Sequence, residues 1–358
     1  MGKAFALGLA LWGLAGHPAS AEDAPVEPAA PEFEEPIFSL GTPVGPFEYR
    51  LGRGLRFGDT GLVIGGFSTL EFDQEERENG EFEIDAVNLL VLYEPIPRLA
   101  IFSEIEIGDI LTVDVGTGKG ESDVIVEVER LYAEWRFADS LKARVGKFQT
   151  PVGRWNLVPS EPFVWTAIEP VGVEVAFDEY LTGGALHGTL YRDSKQIDYW
   201  LYGQATPQFM PENDPDPARA TAGGRLAWGE LAGWSLGSSF QAVERKDRWG
   251  FLGGLDAQWQ TERFELTTEF LIQRGDLADR EMTGVYVQGV LELCRDFYAV
   301  TRYEHFNAPG GGRDANLVDV GFAWTPLHFL HVKASYRFAD EQTEEVRQGV
   351  SASVSFVF

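Results

Sequence analysis

The sequence predicts an all-β fold: a 16-stranded antiparallel transmembrane β-barrel with an inward-folded long third loop. Three observations predict it. From Leu62 onward, segments of about 10–13 residues alternate apolar and polar side chains, the period of a strand with one face in lipid and one in water. A short turn with a Trp, Tyr or Phe beside it follows every second segment. A single insertion carrying Pro151, Pro159, Pro162 and Pro170 interrupts the series, and proline cannot donate to a sheet ladder.

Residues 1–21 read as an export signal. Lys3 supplies the positive end, Ala4 to Ala15 the apolar run, and Ala19-Ser20-Ala21 the small-residue cleavage pattern. Twelve apolar residues are too few to span a bilayer. Residues 22–55 are expected to be an acidic, Pro-rich periplasmic leader that cannot bury enough apolar surface to fold alone. The barrel is expected over 56–358.

The strands are expected at 62–74, 82–94, 98–110, 124–138, 141–150, 180–191, 195–206 and 220–230. The second half follows at 234–245, 249–260, 264–275, 283–294, 297–307, 316–325, 329–339 and 346–358. The faces separate cleanly in the last strand, with Val350, Val354, Phe356 and Phe358 opposing Ser351, Ser353 and Ser355. In 264–275, Phe264, Leu266, Phe270 and Ile272 oppose Glu265, Thr267, Glu269 and Gln273. Parity switches within 124–138, from Val124, Val126 and Val128 to Leu131, Ala133 and Trp135, which requires a bulge or an end above the bilayer.

Connections are expected to alternate strictly, with short turns after even strands, such as Pro95-Ile96-Pro97, Asp139-Ser140 and Arg295-Asp296. Longer polar loops follow odd strands, such as Thr112 to Asp123, Pro207 to Arg219 and Ala308 to Ala315. Tyr93, Phe137, Tyr191, Trp228, Trp259, Phe297 and Trp324 all lie beside short turns, the arrangement of an interfacial aromatic girdle.

Composition excludes several classes. A net charge of −27 repels nucleic-acid phosphates. A single cysteine, Cys294, excludes a disulfide framework and a cysteine zinc site. His187, His305, His328 and His331 are scattered along the chain, with no nucleophile elbow, so no enzyme site, metal or cofactor is expected. Glu212, Asp214 and Asp216 could offer carboxylates to calcium, but the loop lacks the glycine and final glutamate of an EF-hand and reads as a solvated acidic loop.

Taking polar parity as inward gives the candidate lumen residues. Glu71, Glu104, Glu106, Glu134, Asp256, Glu265, Glu269, Glu292 and Glu304 are acidic. Arg130, Arg136, Lys142, Arg144, Arg302, Lys333 and Arg337 are basic; they concentrate in the fourth and fifth and the thirteenth to fifteenth expected strands, and the acidic ones in the first three and the tenth to twelfth, so opposed walls would set a transverse field. Neighbouring-strand ion pairs are the alternative for any one of them. The insertion 151–179 is expected to form the constriction with Arg154, Glu161, Glu169 and Glu174, anchored by Trp155, Phe163 and Trp165. Lys147 has outward parity.

The segment Ala143 to Trp155, ARVGKFQTPVGRW, resembles the strand-then-GKF-x-x-P-x-G stretch of the phosphate-selective porin O/P type family, where a strand also feeds a pore loop. The final phenylalanine, the export signal and the sixteen strands resemble bacterial outer-membrane porins more broadly. The resemblance implies a passive channel in the outer membrane, commonly a homotrimer. Phosphate selectivity is not expected, because 29 basic residues face 56 acidic ones. The expectation is passage of small ions and polar solutes with mild cation preference. The rivals are a barrel that sheathes or anchors a partner protein and, more remotely, an outer-membrane hydrolase.

Overall fold

The computed structural model describes residues 36–76, 78–158, 160–209, 217–230, 233–276, 281–307, 314–341 and 346–358. The export signal, residues 22–35 of the leader and the carboxylates Glu212, Asp214 and Asp216 lie outside these residues.

Three short strands come first: β1 (Phe38–Thr42), β2 (Gly45–Arg50) and β3 (Gly54–Phe57). Then come β4 (Leu62–Glu75), β5 (Glu81–Ile96), β6 (Leu99–Asp114), the two-residue β7 (Gly120–Glu121), β8 (Ile125–Ala138) and β9 (Leu141–Gln149). After the insertion follow β10 (Tyr180–Arg192), β11 (Lys195–Gln204), β12 (Ala220–Glu230), β13 (Trp234–Arg245), β14 (Arg248–Gln260) and β15 (Phe264–Gly275). The chain ends with β16 (Met282–Cys294), β17 (Phe297–Asn307), β18 (Asp314–Leu327), β19 (Leu330–Ala339) and β20 (Gly349–Val357).

Leaving aside β1–β3 and β7, sixteen strands pair antiparallel in sequence order. The sheet closes where β20 meets β4, from Gly349↔Glu75 to Val357↔Phe67. Period two governs which side chains are hidden. In β15, Glu265, Thr267, Glu269, Leu271 and Gln273 are buried, while Leu266 and Phe270 face outward. Val145 on β9, Leu201 on β11, Leu226 on β12 and Leu255 on β14 are each more than half exposed. A closed sheet with so apolar an exterior is matched to lipid, since closure leaves no open strand edge. Tyr93, Phe137, Tyr191, Trp228, Trp259 and Trp324 are exposed beside the short turns.

Two departures from expectation have local causes. β structure starts at Phe38, inside the segment expected as leader. Gly45, Gly52 and Gly54 have positive φ and allow tight reversals that let a meander of four- to six-residue strands form. Its β3 pairs with β4 at Leu55↔Ile64, next to where Phe358 exchanges two backbone hydrogen bonds with Gly66 (2.8 and 3.0 Å). The meander thus continues the line of β20 below the chain end.

Second, the short–long alternation is not strict. β13 and β14 join through Lys246 and Asp247 alone, both with positive φ (46° and 64°), a tight turn at the long-loop rim. The parity switch in β8 is, of the two expected alternatives, the bulge: Glu104↔Arg130 is followed by Ile105↔Val128, so Glu129 is extra and both Glu129 and Arg130 are buried.

Candidate functional site

The insertion folds into the barrel and is fastened to one side of its wall. Prolines and Gly153 (φ +61°) remove it from the ladder after Gln149. The Gly153 amide donates to Ser239 Oγ (3.0 Å), and the amides of Arg154 and Trp155 both donate to Glu269 Oε2 (2.9 and 3.2 Å). Arg154 reaches Gln258 (3.1 Å), Ser235 (2.6 Å) and Asp256 (3.2 Å). Trp165 Nε1 donates to Glu265 Oε1 (3.1 Å), and its ring lies 4.8 Å from that of Tyr298. Phe163 meets His331 edge-on at 5.7 Å, and Lys333 Nζ donates to the Glu161 carbonyl (2.6 Å).

The return path is held as firmly. A one-turn helix, Val171–Glu174, places the Val171 amide on Glu304 Oε2 (2.9 Å). Its Gly172 touches Gly284 of β16 so closely that a Cβ on Gly284 would sit 2.9 Å from the Gly172 Cα. Arg302, fully buried, bridges Glu304 (2.8 Å) and Asp319 (2.7 Å) and donates to Thr166 Oγ1 and to the carbonyls of Ile168 and Glu169. Arg337 joins the same group through Asp319 (2.8 Å) and the Glu169 carbonyl (3.3 Å). Beneath the helix, Leu252, Leu271, Met282, Phe306 and Leu317 form an apolar bed with Val171, Val173 and Phe177.

Toward the short-turn rim a cavity of about 540 Å³ remains under the loop, lined among others by Lys142, Arg144, Trp165 and Trp200. Burial, then repulsion from Glu179 and Glu174, pushes the Glu169 carboxyl up to about 8.

No protein-family model matches this chain, and no curated protein sequence does. Solved structures do match. The barrel is similar to DcaP, an outer-membrane channel of Acinetobacter baumannii, with a TM-score of 0.59 at 9% identity over 86% of this chain and 100% of that one. An anion-selective porin from Comamonas acidovorans gives 0.58 at 9% identity, over 83% and 99%. OmpF of Salmonella typhi gives 0.58 at 12% identity, over 85% and 99%. The fold is that of bacterial outer-membrane porins.

Within this porin fold the candidate residues separate into groups. Glu134, with no exposed surface, receives Arg144 (2.7 Å) and His187 (2.9 Å), with Arg136 at 3.7 Å. Arg136 also pairs with Glu94 (2.9 Å). Arg144 lies over the ring of Tyr132 (4.1 Å), and His187 stacks flat on Trp200 (3.8 Å). Arg130 is paired with Glu104. Lys142 faces Arg136 and His187 across its two ladders, and Glu106 faces Asn88. Lys147, despite its outward parity, is almost fully buried, with Nζ 5.1 Å from the ring of Tyr180. Gly146 beside it has φ +134°, and that backbone turn upsets the alternation there.

The expected transverse field needs correction. Arg302, Lys333 and Arg337 do not form an open basic wall, because the loop lies on them and they are consumed as its fasteners. Arg154 likewise belongs to the fastening. The sequence reading missed the apolar bed. Its signal was present: Leu252 and Leu271 share inward parity with Asp256 and Glu269, and an apolar residue on a wet face needs a cover. It also missed Asp319 and Asp85, the latter because a bulge changes which way the side chain points.

Proposed function

We propose that this chain is an outer-membrane porin that lets small ions and polar solutes diffuse passively, with a mild preference for cations. The observation that carries the reading is the one-sided fastening of the loop. Its hydrogen bonds to the wall run to β13 through β19, so it narrows the lumen from that side rather than filling it evenly. The remaining passage would run past β4 to β8.

The cation preference follows from which charges stay unneutralised. Near the long-loop rim that wall carries Glu71, Asp73, Glu83, Asp85 and Glu106. The buried arginines are committed: Arg130 to Glu104, Arg225 to Asp256, and Arg302 and Arg337 to Glu304 and Asp319. A ring of one sign at a constriction raises the local concentration of the opposite ion. A homotrimer is part of the proposal, in keeping with the trimer form of OmpT from Vibrio cholerae, a barrel of the same fold. The likeness to the O/P type family rests on Ala143 to Trp155 alone and carries no claim of phosphate selectivity. A sheath for a partner protein is disfavoured, because a sheath needs the lumen that the loop occupies.

The test is the zero-current potential of the purified protein in a planar bilayer under a tenfold KCl gradient. The proposal expects a potential of the sign set by potassium permeation. A clear chloride-selective potential would overturn the charge argument, and a protein that never conducts would overturn the channel.

A further inference from the structure

Where the inner loop reaches β4 and β5, Glu71, Asp85 and Glu161 each bring one carboxylate oxygen to within 4.8 Å of the other two. Asp85 gets there through a double bulge. The ladder to β4 passes from Leu70↔Ile84 to Thr69↔Ala86, and the ladder to β6 from Ile84↔Leu111 to Ala86↔Gly108, so both neighbours skip Asp85. A bulge of this kind re-aims a side chain and recurs beside functional sites. Glu161 opens the 3-10 turn Glu161–Phe163 of the loop.

Lys333 is the ammonium at this spot, 3.6 Å from Glu161 Oε1. One positive charge against three carboxylates leaves two negative charges in excess. A second observation points to a missing partner. Ser353 is 1% exposed, and its Oγ makes no hydrogen bond. It stands on the inner face of β20, opposite Glu71 in one ladder and opposite Lys333 in the other. A buried hydroxyl with no partner is uncommon and needs a reason.

An oxygen-only donor set with two uncompensated charges suits a hard divalent cation. Calcium–oxygen distances of about 2.3–2.6 Å let oxygens up to roughly 4.8 Å apart share one ion, whereas magnesium at about 2.0–2.1 Å draws its ligands within roughly 4.2 Å. The geometry points to a calcium site formed by Glu71, Asp85 and Glu161, with Ser353 Oγ and water completing the shell. The ion ties the inner loop to the β4–β5 wall, across the end of the passage. Binding does not depend on the channel reading. Its consequence, a lower monovalent conductance when calcium is bound, rests on that reading.

Calorimetric titration of CaCl2 into the EDTA-treated, detergent-solubilised full chain tests the site. Wild type and a remote control, Glu262→Gln, are expected to bind one equivalent. Glu161→Gln and Asp85→Asn are expected to lose affinity by tenfold or more. No saturable binding by wild type, or equal binding by both site variants, would overturn the proposal. Should Asp85→Asn misfold, Glu161→Gln decides alone, because Glu161 lies outside every ladder. A protein that binds calcium but never conducts keeps the site and overturns only the channel.

Discussion

Gly153 turns the chain from β9 into the lumen with φ +61°, and a Cβ there would sit 1.7 Å from Glu269 Oε1. Gly153→Val therefore both strains the backbone, by about 1–2 kcal/mol, and displaces the carboxylate that holds the next two amides. Limited trypsin digestion should cut after Arg154 in the variant and spare wild type; equal protection would mean the turn is not what seats the loop. Asp256 answers two guanidiniums, Arg225 (2.9 Å) and Arg154 (3.2 Å), and has no exposed side-chain surface. Asp256→Ala should cost about 3–5 kcal/mol by leaving buried charge unpaired. By contrast Asp247→Asn, which removes the charge from an exposed 3.7 Å pair with Arg219 and keeps a side chain suited to the positive φ there, should leave thermal unfolding nearly unchanged. Glu169 adds a pH dependence. Its carboxyl is raised to about 8 in the folded loop, so its stabilising contribution is complete below the usual carboxylate range and lost as pH rises through 8. Melting temperature should therefore fall between pH 6 and 9 in wild type, and less so in Glu169→Gln. At this scale, parity alone identified which polar side chains turn inward. It could not identify Asp85 or place Lys147, because bulges and glycine turns are set by the partner strand rather than by local alternation.

Among the elements, the sixteen barrel strands were legible because each repeats a two-residue period for nine or more residues between turn signals. β1 to β3 were not, since four to six residues amid prolines and glycines carry too few repeats to read. Their contribution is peripheral. β20 meets β4 over nine residue pairs without them. Deleting 36–57 should therefore leave a heat-modifiable, folded barrel on electrophoresis; loss of the folded band would show that the meander is needed for closure. The inner loop was legible as an inward-folding insertion through its prolines, but the part of the wall it settles on was not. That is written across five different strands, in Leu252, Leu271, Met282, Phe306 and Leu317, each ordinary alone and a bed only once the sheet curls.

On the scale of the molecule, excess acidity in the sequence becomes an uneven distribution. Arginines gather where the loop is fastened and are spent on partners, while carboxylates of β4 to β6 keep the opposite wall negative. Unsegregated charge counts could not reveal this, because whether a basic residue lines a pore or lies beneath a loop depends on contacts far apart in the chain. The central claim is that one fastened loop sets the width of an otherwise open conduit. Single-channel conductance of wild type against a chain lacking residues 155–170, in the same KCl, tests it most directly. The account predicts a severalfold larger unitary conductance for the deletion with the barrel still folded. An equal or smaller conductance would place the constriction elsewhere.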